Sequence, residues 1–367
     1  MELVQKRYIQ TEVGLIPSDW SLVKFKDVSF MKGRIGWQGL NQTEFTNNSE
    51  EPFLITGMNF KDGEIRWNEV YHVSNERYEI AKEIQLKIND VLMTKDGTIG
   101  KLLFVNDLPY PFKATLNSHL LVFRPLKKSY NPKYLYYNLA SPYFNKHIEL
   151  TKSGTTFFGV SQTSVGEYNL ILPPIEEQTA IATALSDTDN WINRLEQLIA
   201  KKRLIKQGAM QELLRPKQGW ENKKLGECAF ITKLAGFEYS LHFNSYKDGG
   251  EIVVIRGTNI TNNKLDLGDI KTIPEAISKK LPRSKLSKND LVFAYVGTIG
   301  PIYLVEENDK FHLGPNTSKI SVNKEINSKY VYHYFTSESI KKEIIEHTSI
   351  GAQPSLSMSK IRNFNIA

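Results

Sequence analysis

The sequence has little of what several classes of protein require. Cys228 is the only cysteine among 367 residues, which excludes an intrachain disulfide framework and a four-thiolate zinc site. No apolar run reaches the roughly 18 residues of a membrane-spanning helix, and the N-terminal stretch lacks the apolar segment of a secretory signal. These absences predict a cytoplasmic protein with no membrane partner.

Catalytic and cofactor-binding motifs are also missing. No Gly-x-Gly-x-x-Gly follows a predicted strand, and neither a P-loop nor a His-Glu-x-x-His motif is present. Asn-Pro-Lys-Tyr at 131–134 departs at its third position from the Asn-Pro-Pro-Tyr motif of adenine methyltransferases. We therefore expect a non-catalytic chain that binds no metal and no cofactor of its own.

The charge permits a nucleic-acid partner. The formal net charge is +7 and the pI is about 9.1, and a basic protein attracts polyanions. Acidic and basic residues are mixed along the chain, with no basic tail. Any nucleic-acid-binding surface must therefore be assembled by folding.

The chain repeats itself with a period of about 200 residues, which is the size of a domain. Gly-Thr-Ile-Gly at 97–100 recurs unchanged at 297–300, and Asn-Asp-Val-Leu at 89–92 recurs as Asn-Asp-Leu-Val at 289–292. Apolar runs flank each Gly-Thr-Ile-Gly and predict paired strands around a hairpin or bulge turn whose glycines have positive φ. Asn131 and Pro132 predict the start of a short helix through Leu139. Each copy is therefore predicted to be a mixed α/β domain.

A long helix is predicted between the two copies. Pro173 and Pro174 suit its start, Glu176 and Glu177 suit its first turn, and Arg215-Pro216 ends it. From Pro174 to Leu213 it has 40 residues, which correspond to ~60 Å at about 1.5 Å per residue. Two apolar rows repeat at heptad spacing, which predicts helix pairing on two faces. The residues expected to pair with a partner helix or subunit are Ile181, Leu185, Ile192, Leu195, Leu198, Ile199 and Ile205.

This pattern resembles the specificity (S) subunit of type I restriction–modification systems. The similarity rests on the opening at 10–20 (Gln-Thr-Glu-Val-Gly-Leu-Ile-Pro-Ser-Asp-Trp), the repeated Gly-Thr-Ile-Gly, the helix start at 172–181 and the helix end at 210–214. The resemblance implies a first target-recognition domain at 1–172, a central conserved helix that acts as a coiled-coil spacer at 173–215, and a second target-recognition domain at 216–367. The family also has a second conserved helix after the second domain, and nothing in this sequence matches 173–213 a second time.

The resemblance implies a function as well. Each domain would recognise one half of a bipartite, asymmetric double-stranded DNA site, while the helix would dock methyltransferase (M) subunits and, through them, restriction (R) subunits. S-adenosylmethionine, ATP and Mg²⁺ would bind only to those partners. Two alternatives remain open. One is a truncated S-like chain that forms a homodimer or sequesters M subunits without productive DNA recognition, and the other is a stand-alone DNA-modifying enzyme.

Base recognition needs side chains with paired donors and acceptors, and phosphate anchoring needs Lys, Arg and hydroxyl groups. In the first copy the residues expected to contact DNA are Lys32, Arg34, Trp37, Gln38, Asn59, Lys61, Arg66, Thr94, Lys95, Lys113, Thr115, Asn117, Ser118, Lys152 and Thr155. In the second copy they are Arg256, Asn259, Lys264, Tyr295, Asn316, Thr317, Lys319 and Gln353. For any one of them, a solvated surface position is the competing interpretation.

Overall fold

The computed structural model describes residues 7–35, 39–61, 63–154, 158–243, 249–349, 351 and 353–367, without the side chain of Lys61. It divides the chain into two compact units, residues 1–196 and 197–367. This division falls inside a long helix, whereas the sequence-based division set that helix apart as a segment of its own.

The first unit is built from short strands and helices. Its strands are β1 (Tyr8–Thr11), β2 (Gly14–Pro17), β3 (Ser21–Lys24), β4 (Ser29–Gly33), β5 (Phe53–Ile55), β6 (Phe60–Lys61), β7 (Glu64–Ile65), β8 (Tyr71–His72), β9 (Val91–Thr94), β10 (Leu102–Phe104), β11 (Ala114–Leu116), β12 (Leu120–Pro125) and β13 (Asn169–Leu172). Its helices are α1 (Phe25–Val28), α2 (Asn75–Ile80), α3 (Pro132–Leu139), α4 (Pro142–Thr151) and α5 (Gln162–Gly166).

The main sheet of the first unit is antiparallel, with the strand order β10-β9-β12-β4. Successive side chains of a strand point to opposite faces. Met93 and Phe123 accordingly pack with residues of α3, α4 and α5, whereas Leu92 and Val122 pack with the second sheet, β11-β5-β8. Because the sheet is covered on both faces, its central strands are continuous apolar runs in the sequence.

Two local predictions are confirmed in the first unit. β9 and β10 form the expected hairpin, in which Gly97 and Gly100 have φ values of 68° and 82°. Helix α3 begins at Pro132, and the side-chain oxygen of Asn131 accepts hydrogen bonds from the N–H groups of Lys133 and Tyr134. Such a cap satisfies backbone donors that have no partner within the helix.

The long helix, α6, spans Ile175–Leu213 and confirms the predicted helix to within one residue at its start. Its first turns belong to the core of the first unit. Gln178 is buried, accepts a hydrogen bond from the Asn131 N–H at 2.9 Å and donates one to the Pro173 carbonyl at 2.8 Å. Ile181 packs against the same core, whereas Leu185, Ile192, Leu195, Leu198, Ile199 and Ile205 are 42–57% exposed.

The second unit has a comparable set of elements. Its strands are β14 (Lys223–Lys224), β15 (Ala229–Lys233), β16 (Ile252–Ile255), β17 (Ile260–Thr261), β18 (Lys264–Leu265), β19 (Lys271–Ile273), β20 (Leu291–Ala294), β21 (Ile302–Leu304), β22 (Phe311–Leu313), β23 (Thr317–Val322) and β24 (Asn365–Ile366). Its further helices are α7 (Leu225–Cys228), α8 (Gly236–His242), α9 (Glu275–Lys280), α10 (Ser328–Phe335), α11 (Glu338–His347) and α12 (Met358–Arg362).

The two units share one topology. The sheet order β15-β23-β20-β21 repeats β4-β12-β9-β10, and β22 runs parallel to β16 as β11 does to β5. Asn89 and Asn289 have positive φ values of 72° and 73° at the same turn, a conformation that Asn tolerates better than most residues. The duplication predicted from the sequence is therefore a duplication of structure, and the mixed α/β fold is confirmed. Among the described residues no helix is long and apolar enough to span a membrane.

Candidate nucleic-acid interface

In the first unit, several loops leave the main sheet at one edge. The register pairs Leu121 with Gly33 and Leu120 with Thr94, so β12 begins where β4 and β9 end. We call the loop segments at this edge the first tip: residues 95–100, 117–119, 153–154 and 158–159. Arg34 and Ile35 follow the end of β4 at the same edge.

Backbone hydrogen bonds join the three segments of the first tip. The Lys95 N–H donates to the His119 carbonyl at 2.9 Å, and the Val160 N–H donates to the Lys95 carbonyl at 2.7 Å. Ser153 and Gly159 exchange two hydrogen bonds of 2.9 Å each. The framework of the tip therefore depends on main-chain groups, which any non-proline residue supplies.

The second tip, residues 295–300, 314–316 and 349–355 apart from 350 and 352, has the same framework. The Tyr295 N–H donates to the Asn316 carbonyl at 3.1 Å, and the Leu356 N–H donates to the Tyr295 carbonyl at 2.9 Å. Ser349 donates to Ser355 at 3.0 Å. Equivalent backbone positions are thus bonded in both units.

The side chains on this shared framework differ. On the first tip, His119 Nδ1 lies 2.6 Å from Asp96 Oδ1, next to the predicted residues Lys95, Asn117 and Ser118. Lys152 directly precedes the third segment of the tip, and its Nζ atom lies 2.5 Å from Glu149 Oε2 and 5.3 Å from the centre of the Phe158 ring. Cationic, imidazole and carboxylate groups that meet at one exposed edge can bond to phosphates and to the polar edges of bases.

The second tip presents amides and an aromatic ring. Asn316 and Gln353 are exposed, and both side chains match the donor–acceptor pair of adenine. Tyr295 lies with its ring centre 5.9 Å from Lys233 Nζ, and burial raises the pKa of its hydroxyl. Val296 stands where the first tip has Asp96, so the two tips have different hydrogen-bonding chemistry.

Three predicted contact residues of the first unit face inward. Arg34 is 4% exposed and donates to the Leu116 carbonyl at 2.7 Å and to Thr115 Oγ1 at 3.1 Å. Burial lowers the pKa of Arg34 to about 10. Thr94 donates to the Thr98 carbonyl and accepts from the Lys101 N–H, which holds the hairpin turn together. These residues are better explained as internal supports of the tip than as DNA contacts.

Asn59 and Asn259 are also buried, at equivalent places. The side-chain oxygen of Asn59 accepts from the Thr56 N–H and hydroxyl, both at 2.8 Å, and that of Asn259 accepts from the Arg256 N–H at 3.2 Å and Nε at 3.0 Å. Arg256 also bonds to Asp269. These side chains close the turns after β5 and β16. Their polar groups, which were expected to contact DNA, are therefore occupied by internal hydrogen bonds.

In β23 of the second unit, Thr317 and Lys319 have internal partners as well. Thr317 Oγ1 donates to the Gly314 carbonyl at 2.8 Å. Lys319 Nζ lies 3.0 Å from Asp290 Oδ2 and donates to the Lys285 carbonyl at 2.6 Å. Because a charged side chain seldom leaves such a buried pair, we do not count Lys319 among the groups free to bind phosphate.

The remaining residues that were predicted to contact DNA are accessible or lie outside the residues that the structure describes. Lys32, Arg66 and Lys113 contact Glu83, Glu69 and Asn75 at 3.0, 3.2 and 3.0 Å, and Lys264 is exposed on β18. Trp37, Gln38 and Thr155 lie outside the described residues, as does the side chain of Lys61. Sequence reasoning left out Asp96, Phe158 and Lys233, although the contrast of Asp96 with Val296 marks that position as different between the copies. No cluster able to hold a metal ion occurs in the described part of the chain.

Known proteins share this architecture. The model of the type I restriction modification DNA specificity domain matches the chain twice, at residues 17–207 and 217–367. The MjaVIII specificity subunit of a type I restriction enzyme from Methanocaldococcus jannaschii is 24% identical, covering 90% of this chain and 77% of the relative. The EcoKI specificity subunit from Escherichia coli is 20% identical, covering 90% and 74%.

A solved structure agrees in fold. The type I restriction–modification S subunit from M. genitalium superposes with a TM-score of 0.54 at 15% identity, covering 95% of this chain and 84% of that one. Two tandem copies of the specificity domain therefore account for nearly the whole chain, and the protein belongs to the family of type I restriction–modification DNA specificity subunits.

Proposed function

We propose that this chain is the DNA-recognition subunit of a type I restriction–modification enzyme and that each tip contacts one half of a bipartite, asymmetric double-stranded DNA site. The observation that carries the proposal is the pair of tips, which have one hydrogen-bonded backbone framework and different side chains. Two tips that recognised the same bases would be expected to have the same side chains. Instead, the first unit has Asp96 and His119 where the second has Val296 and Asn316.

The proposed contacts are the accessible groups of the tips. Lys95, Asn117, Ser118, His119 and Lys152 act in the first unit, with Trp37, Gln38 and Thr155 as further proposals. Tyr295, Asn316 and Gln353 act in the second unit, and Lys233 joins them. Lys32, Lys61, Arg66, Lys113 and Lys264 remain proposals for phosphate contacts outside the tips, since phosphate contacts extend beyond the base-reading surface.

The chain is proposed to be non-catalytic and to act in the cytoplasm. Methyl transfer, ATP hydrolysis and cleavage would take place on M and R subunits with their own S-adenosylmethionine, ATP and Mg²⁺. The M subunits would dock on α6, because Leu185, Ile192, Leu195, Leu198 and Ile199 expose large apolar groups on one helix. Exposed apolar rows on a helix are typical of helix-pairing surfaces.

The proposal is tested by mapping methylated sites in cells that contain the chain and its cognate M subunit. Lys95→Ala combined with His119→Ala should reduce the sequence specificity of methylation in one half-site and leave the other half-site unchanged. A lost bidentate base contact costs about 1–3 kcal/mol of discrimination between bases. Asn316→Ala combined with Gln353→Ala should do the reverse. Lys87→Ala is the matched control, because Lys87 precedes β9 at the opposite edge of the sheet.

Relaxation of both halves by one tip variant, or an effect of Lys87→Ala equal to that of the tip variant, would contradict the proposal. Transfer of methyl groups to DNA by the purified chain alone would favour the stand-alone enzyme.

The exposed row on α6 also favours a second candidate, in which two copies of this chain pair through that helix. Light-scattering mass of the chain, alone and with the M subunit, separates the two. A complex of one chain with two M subunits supports docking of M subunits on α6. A self-dimer, or a complex with a single M subunit, supports pairing of α6 with the same helix of a second copy. Leu195→Glu should weaken either assembly, because a buried charge in an apolar seam is costly.

A further inference from the structure

The second unit contains a cavity of about 340 Å³ at the N-terminus of α11. Its walls come from the last turns of α6, including Arg203, Lys206 and Met210, and from the start of α11, including Ser337 and Lys341. All of its lining residues belong to the second unit. None of them belongs to either tip or to the set of predicted DNA contacts.

Ser337 is the feature that calls for an explanation. It occupies the cap position of α11 but its side chain accepts no capping hydrogen bond. The residue is 8% exposed, and its hydroxyl oxygen is buried without a hydrogen-bond partner. At the equivalent place in the first unit, Ser141 accepts a hydrogen bond from the Phe144 N–H at 3.4 Å. A buried hydroxyl without a partner loses its hydration without compensation.

The charge around Ser337 is mostly positive. Arg203, Lys206 and Lys341 line the cavity together with one carboxylate, Glu338, whose Oε1 lies 2.8 Å from Lys341 Nζ. The first N–H groups of a helix have no partner within the helix, and the helix dipole adds partial positive charge at the same point. Three cationic residues and a serine with an unused hydroxyl therefore line one cavity beside the first turn of a helix.

We propose that this cavity binds a phosphate-type oxyanion. The Ser337 hydroxyl, whose oxygen is buried in the wall of the cavity, rotates toward the cavity and donates to the anion together with the N–H groups at the start of α11, as at other helix N-termini that hold phosphate. Arg203, Lys206 and Lys341 neutralise its charge. Glu338 competes for Lys341, so binding of the anion displaces Glu338 from that ion pair.

Inorganic phosphate is the probe, titrated into the full-length chain by calorimetry at constant ionic strength. Saturable binding is expected, and Ser337→Ala and Lys341→Ala should each weaken it by about tenfold or more, because hydrogen bonds to a charged group are strong. Glu338→Gln should strengthen it by about threefold or more, since a competing negative charge is removed. Ser141→Ala is the matched control and should leave phosphate affinity unchanged.

The site is refuted if phosphate fails to bind saturably, or if binding does not respond to Ser337→Ala, Lys341→Ala and Glu338→Gln. An equal effect of Ser141→Ala would also refute it, because that serine has no part in the cavity.

A second arm identifies the source of the phosphate. If the ligand is a DNA backbone phosphate, Arg203→Ala and Lys341→Ala should weaken binding of a non-cognate duplex and each reduce the slope of log affinity against log salt by about 1. If it is free phosphate, those variants should lose phosphate binding and keep their duplex affinity. Either result supports the oxyanion site, and neither depends on whether the tips recognise bases.

Discussion

Burial of His312 should make the second unit less stable in mild acid. His312 lies on β22 with no exposed surface, and its Nδ1 and Nε2 atoms are each 3.0 Å from a serine hydroxyl, Ser278 and Ser284. Burial, together with the charges of Lys319 and Lys285, lowers the pKa of its imidazole from 6.5 to about 4. Folding therefore holds the ring neutral at a pH at which the unfolded chain protonates it.

The sign and size of the effect follow from proton linkage. Below pH 6.5 the unfolded state binds a proton that the folded state does not bind, so stability falls as the pH falls and levels off below about 4. A pKa change from 6.5 to about 4 corresponds to about 3 kcal/mol in total, of which about 2 kcal/mol is lost between pH 7 and pH 5. This window lies above the range in which ordinary carboxylates titrate.

Native-state hydrogen exchange measures the effect within the second unit. Amides of β16 and β22, corrected for the intrinsic pH dependence of exchange, should show an opening free energy about 2 kcal/mol lower at pH 5 than at pH 7. In His312→Gln the opening free energy should be lower at both pH values and should no longer change between them. A wild-type opening free energy that stays constant from pH 7 to pH 5, or a variant that keeps the full change, would refute the reasoning.

Three further predictions concern stability and spacing. Ser141→Ala should lower the free energy of unfolding by about 1 kcal/mol through loss of a helix cap, whereas Ser337→Ala should leave it unchanged or raise it, because no internal hydrogen bond is lost; urea denaturation compares the two, and equal losses would contradict the account of Ser337. Arg124→Ala leaves Asp90 buried without its bidentate partner, so exchange in β9 should report a loss of about 3–5 kcal/mol, and a loss under 1 kcal/mol would show that Asp90 is satisfied without Arg124. Deleting four residues within 186–206 removes about one helical turn, and methylation mapping should show a changed spacer with both half-sites intact; an unchanged site would count against the helix as a spacer.

Local structure was predictable where the deciding residues are neighbours in the sequence. Gly97 and Gly100 set the hairpin because positive φ is inexpensive for glycine, and Asn131-Pro132 set the start of α3. The helix α6 followed from prolines at both ends and an apolar pattern between them. In each case the deciding residues lie within the element itself or directly beside it in the sequence.

The direction of individual polar side chains was not predictable, because it depends on partners far away in the sequence. Arg34 is buried by bonds to Leu116 and Thr115, more than 80 residues on, and Lys319 by Asp290. A loop rich in Arg, Asn and Thr looks the same in the sequence whether these groups face solvent or the core. Asn59 and Asn259 offered one usable signal: a residue kept in both copies of a scaffold with two different tips is better explained as support than as recognition.

The main-chain framework of the tips has a consequence for how such a protein changes over generations. Because amides and carbonyls hold the segments together, the side chains at Lys95, His119 and Asn316 can be exchanged with little loss of folding free energy. If the tips recognise DNA as proposed, mutations that change the recognised sequence need no compensating mutation in the core. Exchange of a whole unit between related genes would carry an intact framework with it, so diversification by recombination and by point mutation are both open to this architecture.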